Sequence, residues 1–328
     1  MKNTAVLGID SLIGKELVQL LEQRDYPTGD VYFMAADHDR TQPVVFKGRE
    51  VEVFNDYRDF TNKVDLAFCC LDRVAARDAA QAFKDAFFID CSRAFSFVPD
   101  IVHIIPEVNA DMISAETDLV ANPSPLTIQS LLALYPLHKT LRLKHLQVVA
   151  LVPVSELGQD AVDELSYEYE FLAVGNRIEK TGDRIFPYSI ASNVIPQVGD
   201  IMDDGCSEEE EMFAKEVSII LKTEKIRIGA TAAWVPIQRV GCAAVTAAFE
   251  KRLSLDDVRG ILQKAPGVMV IEDSEKYPMP ENAAGKDEVF VGRLRRDRSF
   301  ENGITMWIAT DNLRKGSALN AVQIAELT

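Results

Sequence analysis

Residues 4–21 read TAVLGIDSLIGKELVQLL, and the fold turns on how this stretch divides. "TAVLGI" is an apolar run with strand character. Ile13, Leu17, Leu20 and Leu21 then fall at i, i+4, i+7 and i+8, which is one face of a helix. Between the two, Gly8 and Gly14 frame a turn. A strand that passes through a glycine turn into a helix brings the helix N-terminal N–H groups to the strand end, where they favour an anion such as a phosphate.

The same alternation continues outward. "DVYFMAA", "VDLAFCCL", "AFFIDCS" and "DLVAN" read as further strands, and "VAARDAAQAFKDA" as a helix. Short units joined by turn residues predict a doubly wound parallel sheet. "DLVAN" runs into "PSPLTIQS", a turn leading to a helix expected to start near Thr127. Beyond about residue 131 the texture changes. "HLQVVALVPV", "KIRIGATAAWVPI", "CAAVTAAFE", "EVFVGRLRRD" and "GITMWIATD" are longer strands, several with alternating faces. "QDAVDELSYEYEFL" and "EEEEMFAKEVSIIL" are helices, which together predict a mixed or antiparallel sheet covered on one side. The acidic run Glu208 to Glu211 suits an exposed first helical turn. A last helix carries Leu319, Val322 and Leu327. The fold class is therefore α/β in two domains, with boundaries at 1–131 plus 312–328 and at 132–311.

The chain has 328 residues, 47% hydrophobic and 26% charged, with a net charge of -16. That size supports two substantial cores. The negative charge argues against nucleic acid and anionic membranes as partners. No apolar run reaches spanning length, and the start does not resemble a signal peptide. Cys69, Cys70, Cys91, Cys206 and Cys242 show no metal spacing. They are expected to be reduced thiols in a cytoplasmic protein, packing as small hydrophobes. The four histidines, His38, His103, His138 and His145, are expected to be exposed or satisfied side chains rather than bases.

Several longer blocks carry a resemblance: "IIPEVNAD", "ANPSPLTIQ", "NVIPQVGD", "YPMPENAAGKDEVFVGRLRRD" and "MWIATDNLRKGSALNAVQIAEL". Through them the chain resembles the aspartate-semialdehyde dehydrogenase family over essentially its whole length. The resemblance implies a Rossmann domain completed by the C-terminal helix, and a second domain that forms a homodimer. It also implies NADPH-linked interconversion of aspartyl phosphate and aspartate semialdehyde. A cysteine thiolate would form the acyl-enzyme, and a histidine would act as acid and base.

At the positions that match the family's catalytic motifs, this sequence departs from them. The nucleophile's slot holds Pro125, which offers neither a side-chain nucleophile nor a backbone N–H. Neighbouring Ser124 is a hydroxyl with no base evident beside it. The histidine's slot falls on Gly241, the carboxylate-holding arginine's on Trp234 and the phosphate-contacting arginine's on Ser96. The substrate-facing glutamine aligns with Val152, and the helix lysine with Met212, while Glu209 keeps its acidic partner. Arg239 is a candidate anion holder displaced by a few residues, and Cys242 is the nearest thiol. No metal site is expected.

The cofactor turn departs in part. Gly8 and Gly14 keep the family's outer glycines, while Ser11 takes the middle one and is placed to cap the helix. Asp10 adds a carboxylate nearby. Asp39 follows His38 in the run that grips the 2′-phosphate in the family, and its charge opposes that phosphate. Asp37 or Asp39 could instead bond the ribose 2′-OH of NAD. The wall loop reads Leu71-Asp72-Arg73 and the nicotinamide-supporting loop Ser155-Glu156-Leu157-Gly158. Gly8, Ser11, Gly14, Asp39, Asn312 and Lys315 are thus the cofactor-binding candidates, and Asp311 and Asn312 are expected to cap the last helix.

The leading expectation from these departures is a non-catalytic homologue of the Usg type. It would be a dimeric binding or regulatory protein with an unknown protein or small-molecule partner and with no cofactor, NAD or NADP binding only with reduced affinity. The alternative is an oxidoreductase of the same family, acting on an aldehyde or oxo group with NAD(P) in amino-acid biosynthesis. A nucleotide sensor without chemistry is a third reading.

Overall fold

The computed structural model describes residues 1–36, 42–98, 100–176, 178, 184–273 and 275–328. It divides into two compact units, Met1–Ser124 with Gly316–Thr328, and Pro125–Lys315.

The first unit contains strands β1 (Lys2–Leu7), β2 (Thr28–Met34), β3 (Val44–Phe46), β4 (Arg49–Val51), β5 (Val53–Phe54), β6 (Leu66–Cys69), β7 (Phe87–Asp90), β8 (Val102–His103) and β9 (Leu119–Ala121). Its helices are α1 (Leu12–Gln23), α2 (Arg73–Ala82), the short α3 (Pro106–Asn109) and the C-terminal helix Leu319–Glu326. Seven strands form one sheet in the order β5-β2-β1-β6-β7-β9-β8, every pair parallel. β3 and β4 make a separate antiparallel hairpin.

Both faces of the sheet are covered. On one face Leu17, Leu20 and Leu21 of α1 share a core with Val6, Phe33, Phe68 and Ile89, and Leu319, Val322 and Ile324 join them from the C-terminal helix. On the other, Ala76 and Ala79 of α2 pack with Leu7, Ala67, Phe83 and Phe88. This double cover explains why the strands read as near-continuous apolar runs. Leu327 falls outside the last helix and is exposed, unlike Leu319 and Val322, because the helix ends one residue before it.

The second unit contains α4 (Pro125–Leu141), β10 (Leu143–Pro153), α5 (Gln159–Ala173), α6 (Glu208–Ile220), β11 (Arg227–Val235), β12 (Gly241–Phe249), α7 (Leu255–Leu262), β13 (Val268–Ile271), the short α8 (Pro280–Ala283), β14 (Val289–Arg296) and β15 (Gly303–Thr310). Six strands form a mixed sheet in the order β11-β10-β12-β15-β14-β13. β10–β11 and β13–β14 are parallel and the rest antiparallel. Alternation sorts its faces. Ala243, Val245 and Ala247 of β12 are fully buried, while Ala244 and Thr246 are half-buried. Thr231, Val149, Ala244 and Trp307 pair in turn across four strands on that second, more exposed face.

α4 begins at Pro125, two residues before the expected start. Proline costs nothing at the first helical position, where the missing N–H would have no partner in the helix. The acidic run does open α6, and Glu210 accepts the Ser207 N–H at 2.7 Å in a capping box. It is less exposed than expected. Glu209 is buried, and Glu210 also accepts the N–H of Ala232 on β11 at 2.8 Å. α7 went unread in the sequence although Ser254 caps it through the Asp257 N–H and Val258 and Leu262 form its buried stripe. At two turns it is too short for periodicity to stand out.

Candidate active site

The candidate residues fall into two groups, one in each unit. In the first unit the turn after β1 is built around its glycines. Gly8 has φ +82, and a Cβ there would stand 2.5 Å from the Cys70 carbonyl oxygen. A Cβ on Gly14 would stand 2.2 Å from the Gly8 carbonyl oxygen. Neither position admits a side chain, so the backbone approaches closely at both ends of the turn. Between them Ser11 is the N-cap of α1. Its Oγ accepts the Gly14 N–H at 3.0 Å and donates to the Gly8 carbonyl at 2.7 Å. One of the four N–H groups at this helix start is therefore already engaged. Asp10 accepts the N–H of Ala36, just past β2, at 2.8 Å. Asp72 in the wall loop caps α2 through the N–H groups of Val74 and Ala75. Asp37, His38 and Asp39 lie outside the described residues. Ser96 is buried, with no hydrogen-bond partner for its Oγ among the described residues.

In the second unit three of the positions singled out in the sequence stand side by side. Val152 pairs with Trp234 across β10 and β11, and Gly241 pairs with Thr310 across β12 and β15. Leu151 pairs with Cys242, so Val152 and Gly241 occupy the next rung. The row Trp234, Val152, Gly241, Thr310 thus crosses four strands on the face that α4 covers. Trp234 packs edge-on against Phe186, ring centres 5.7 Å apart, and both are buried. Met212 is buried on α6, which packs on β11. Pro125, in the nucleophile's slot, starts α4, and Gln129 lies one turn further on. A Cβ on Gly241 would lie 3.5 Å from Gln129 Nε2 and 3.9 Å from its Oε1. The amide of Gln129 therefore lies beside the histidine's slot. Gln129 Oε1 and Thr310 Oγ1 are buried and accept or donate no hydrogen bond among the described residues. Sequence reasoning passed over both. Their burial was legible, since Gln129 sits in an apolar helix and Thr310 closes an apolar strand, but their lack of partners was not.

Behind this row lies a second polar set, fully satisfied. Asp311 is completely buried and accepts from Arg239 Nε at 2.7 Å, from Gly285 N at 2.6 Å and from the N–H groups of Leu313 and Arg314. Asp311 thus caps the turn that follows it, while Arg239, the candidate anion holder, is committed to this ion pair. Asn312 does not cap a helix. Its Oδ1 accepts the Val240 N–H at 2.9 Å and its amide donates to Ser155 Oγ at 3.0 Å, tying two loops together. Lys315 is buried.

The remaining nucleophile and base candidates stand apart. Cys242 occupies the face of β12 opposite Gly241, among Val240, Phe290 and Ala309. Burial pushes its thiol up to about 12. Cys69, Cys70 and Cys91 are also buried, and all five cysteines are free. His138 accepts the Leu143 N–H on Nδ1 at 3.2 Å, and His145 stacks on Phe300. His103 is buried, with Nδ1 3.1 Å from the Ile101 carbonyl. Among the described residues no group of three or more His, Cys, Asp and Glu is placed to hold a metal, and no helix is long and apolar enough to cross a membrane.

A parallel sheet entered through a glycine turn, in a chain with a second, mixed-sheet unit, defines the class of two-domain α/β proteins with a Rossmann-type first unit. Residues 3–116 match the semialdehyde dehydrogenase NAD binding domain, and residues 134–315 match the semialdehyde dehydrogenase dimerisation domain. The chain belongs to the semialdehyde dehydrogenase family. It is 34% identical to the aspartate-semialdehyde dehydrogenase of Aquifex aeolicus, over 98% of this chain and 96% of the relative. It is 32% identical to that of Bacillus subtilis, over 99% and 96%. Among solved structures it is similar to aspartate semialdehyde dehydrogenase II from Vibrio cholerae, with a TM-score of 0.95 at 30% identity, covering 100% of this chain and 98% of that one.

These comparisons correct the leading expectation. A non-catalytic, cofactor-free homologue is overturned by full-length relatives and structural neighbours that bear the name of the dehydrogenase, and by the match of residues 3–116 to an NAD binding domain. The physical reason lies in what was weighed. The expectation counted lost side chains at Pro125, Gly241, Trp234, Ser96, Val152 and Met212. It gave less weight to the framework, which keeps Gly8 and Gly14 at the two ends of the cofactor turn and a buried polar set around Asp311.

Proposed function

We propose that this chain is an oxidoreductase of the semialdehyde dehydrogenase family that moves a hydride between a nicotinamide cofactor and an aldehyde or oxo group, within amino-acid metabolism. The observation that carries this reading is the glycine turn of Gly8 and Gly14 at the start of α1, in a chain related end to end to aspartate-semialdehyde dehydrogenases.

The turn fits a dinucleotide. Gly8 and Gly14 let the backbone come close to a diphosphate, and the N–H groups of α1 face it with the positive end of the helix dipole. Ser11 narrows the fit by spending the Gly14 N–H on its own hydroxyl. Asp10, turned toward Ala36 at the end of β2, puts a carboxylate on the side where an acid suits ribose hydroxyls and repels a 2′-phosphate. NAD is therefore favoured over NADP. A bound nicotinamide would supply the hydride. Because position 125 is proline and Cys242 is protonated on the far side of its strand, the substrate is held without a thioester at that slot.

The chain acts as a homodimer. The row Thr231, Val149, Ala244 and Trp307 supplies a small-residue, partly apolar face for a second copy. Its five free cysteines suit a reducing, cytoplasmic setting.

The test is nicotinamide absorbance with purified protein, aspartate semialdehyde and related short aldehydes and oxo acids, in both directions and with both cofactors. Turnover that survives repurification is expected. Its absence across the set, with cofactor binding demonstrated, would sink the reading.

A further inference from the structure

The first unit carries two thiols at one rung of its parallel sheet. Cys69 pairs with Asp90 across β6 and β7. The next rung is Cys70 and Cys91, and its ladder bond is present, with the Cys91 N–H donating to the Cys69 carbonyl at 2.8 Å. Both side chains lie on the face shared with α1 and the C-terminal helix, whereas Cys69 lies on the other. The two thiols touch. Cys91 donates its S–H to the Cys70 sulfur and accepts from the Asn122 amide. Each keeps a small exposed area, 8% for Cys70 and 7% for Cys91, where Cys69 has none and Cys242 has 2%. A single buried cysteine packs as a small hydrophobe. Two in contact at one rung can also join, and in a reducing compartment such bonds are usually transient and redox-sensing.

We propose that Cys70 and Cys91 form a reversible disulfide when a peroxide oxidises them, and that this bond loosens the glycine turn and weakens dinucleotide binding there. The second half rests on the reading of Gly8 and Gly14 as a dinucleotide turn; the first half does not. Neighbouring strands lie about 4.8 Å apart, inside the roughly 4.4–6.8 Å between the Cα atoms of a disulfide. Side chains at one rung of a parallel pair run side by side, so their Cβ atoms are about as far apart as the strands. Closing them to the mean of about 3.8 Å in a disulfide draws the two strand ends together by on the order of 1 Å. Both cysteines lie one residue past the ends of β6 and β7, where the chain can give. β6 stands between β1 and β7, so the shift carries Cys70 away from β1. Two contacts with the turn are strained by it. The Cys70 N–H donates to the Leu7 carbonyl at 2.8 Å, and Gly8 lies so close that a Cβ on it would meet the Cys70 carbonyl oxygen at 2.5 Å. The chemistry balances in two steps. The Cys70 sulfur attacks one peroxide oxygen, the S–O bond forms and the O–O bond breaks. The leaving hydroxide takes the thiol proton as water, and Cys70 is left as a sulfenic acid. The bond it donates to Cys70, together with burial, pushes the Cys91 thiol well up, so Cys91 waits as the second sulfur. It then attacks the Cys70 sulfur, the S–S bond forms and the S–O bond breaks. The hydroxyl leaves with the Cys91 proton as a second water. The two sulfurs lose two electrons to the peroxide, and a small dithiol reverses the change by thiol–disulfide exchange.

The test uses the full-length protein with Cys206, the one thiol that is not buried, replaced by serine to prevent links between chains. Hydrogen peroxide is the oxidant and dithiothreitol the reductant. Peptide mapping without reduction is expected to find Cys70 joined to Cys91 with two hydrogens lost, and dithiothreitol to restore the mass. Calorimetric titration should show NAD binding weaker by about fivefold or more in the oxidised protein. By linkage, saturating NAD should favour the dithiol by the same factor in a glutathione redox buffer. Cys70→Ser, Cys91→Ser and the apolar Cys91→Ala should bind NAD as the reduced protein does and lose the response to peroxide. Should these variants fail to fold, the map of the parent protein decides alone. Unreacted thiols, another pairing, or sulfinic acid at either cysteine in place of the disulfide overturns the proposal. A mapped Cys70–Cys91 bond with unchanged NAD affinity overturns the link to the turn. If the reduced protein binds neither NAD nor NADP, the dinucleotide reading fails and takes the link with it, while the disulfide is still decided by the map.

Discussion

Replacing Ser11 by glycine separates the two uses a helix start can have. In the native turn Ser11 Oγ accepts the Gly14 N–H and donates to the Gly8 carbonyl. Removing the side chain frees that N–H and clears the middle of the turn. A hydrogen bond from a backbone N–H to a charged phosphate is worth about 1.5–3 kcal/mol. Losing the cap to glycine costs only a few tenths of a kcal/mol. The cap loss falls on free and bound protein alike, so the gain of about 1.5–3 kcal/mol predicts roughly ten- to hundredfold tighter dinucleotide binding, since 1.4 kcal/mol is a factor of ten. Ser11→Ala is the control. It loses the cap without freeing as much room and should cost about 1 kcal/mol of stability. Calorimetric titration with NAD and NADP, alongside thermal melting, reads both effects. Unchanged affinity for both cofactors in Ser11→Gly would refute the claim that this turn cradles the diphosphate. An unchanged melting temperature in Ser11→Ala would refute the capping argument.

Other perturbations follow from single positions. Gly8→Ala forces a Cβ to within 2.5 Å of the Cys70 carbonyl at φ +82, so it should destabilise the first unit by several kcal/mol, on the order of 3, seen as a lower denaturant midpoint. Val149→Glu puts a charge on the face assigned to the homodimer and should yield a monomer by sedimentation, while an undisturbed dimer would move the interface elsewhere. Cys242, with its thiol pushed to about 12 by burial, should resist alkylation at neutral pH until the protein unfolds. Burial, aided by the Arg142 charge, lowers the His138 pKa from the usual 6.5. Its stabilising contribution should be present above pH 6.5 and fade as pH falls through the lowered value, as protonation of Nδ1 breaks the bond from Leu143. His138→Gln should flatten that part of the stability profile.

The opening βα unit was legible because glycine spacing and helical periodicity coincide within residues 4–21. The mixed sheet was legible from strand length and alternation. The two-turn α7 and the two-residue strands β5 and β8 were not, since so few residues carry no period. In the site, the odd residues at Pro125, Gly241 and Trp234 stood out once the resemblance located the slots. The adjacency of Trp234, Val152 and Gly241 on one sheet face depends on register, which needs the pairing of β10, β11, β12 and β15. Gln129 and Thr310 were invisible for a different reason. An unpaired buried atom is defined by what fails to approach it, and a sequence shows only what is present.

The most direct test of the central claim is hydride transfer itself. The purified chain is incubated with nicotinamide cofactor deuterated at the transferring carbon, in the NAD and NADP forms, with aspartate semialdehyde and 3-methylbutanal. Products are read by mass spectrometry. Deuterium at the former carbonyl carbon of an aldehyde is the predicted result. No deuterium in any product, from protein shown by titration to bind the cofactor, would contradict the account.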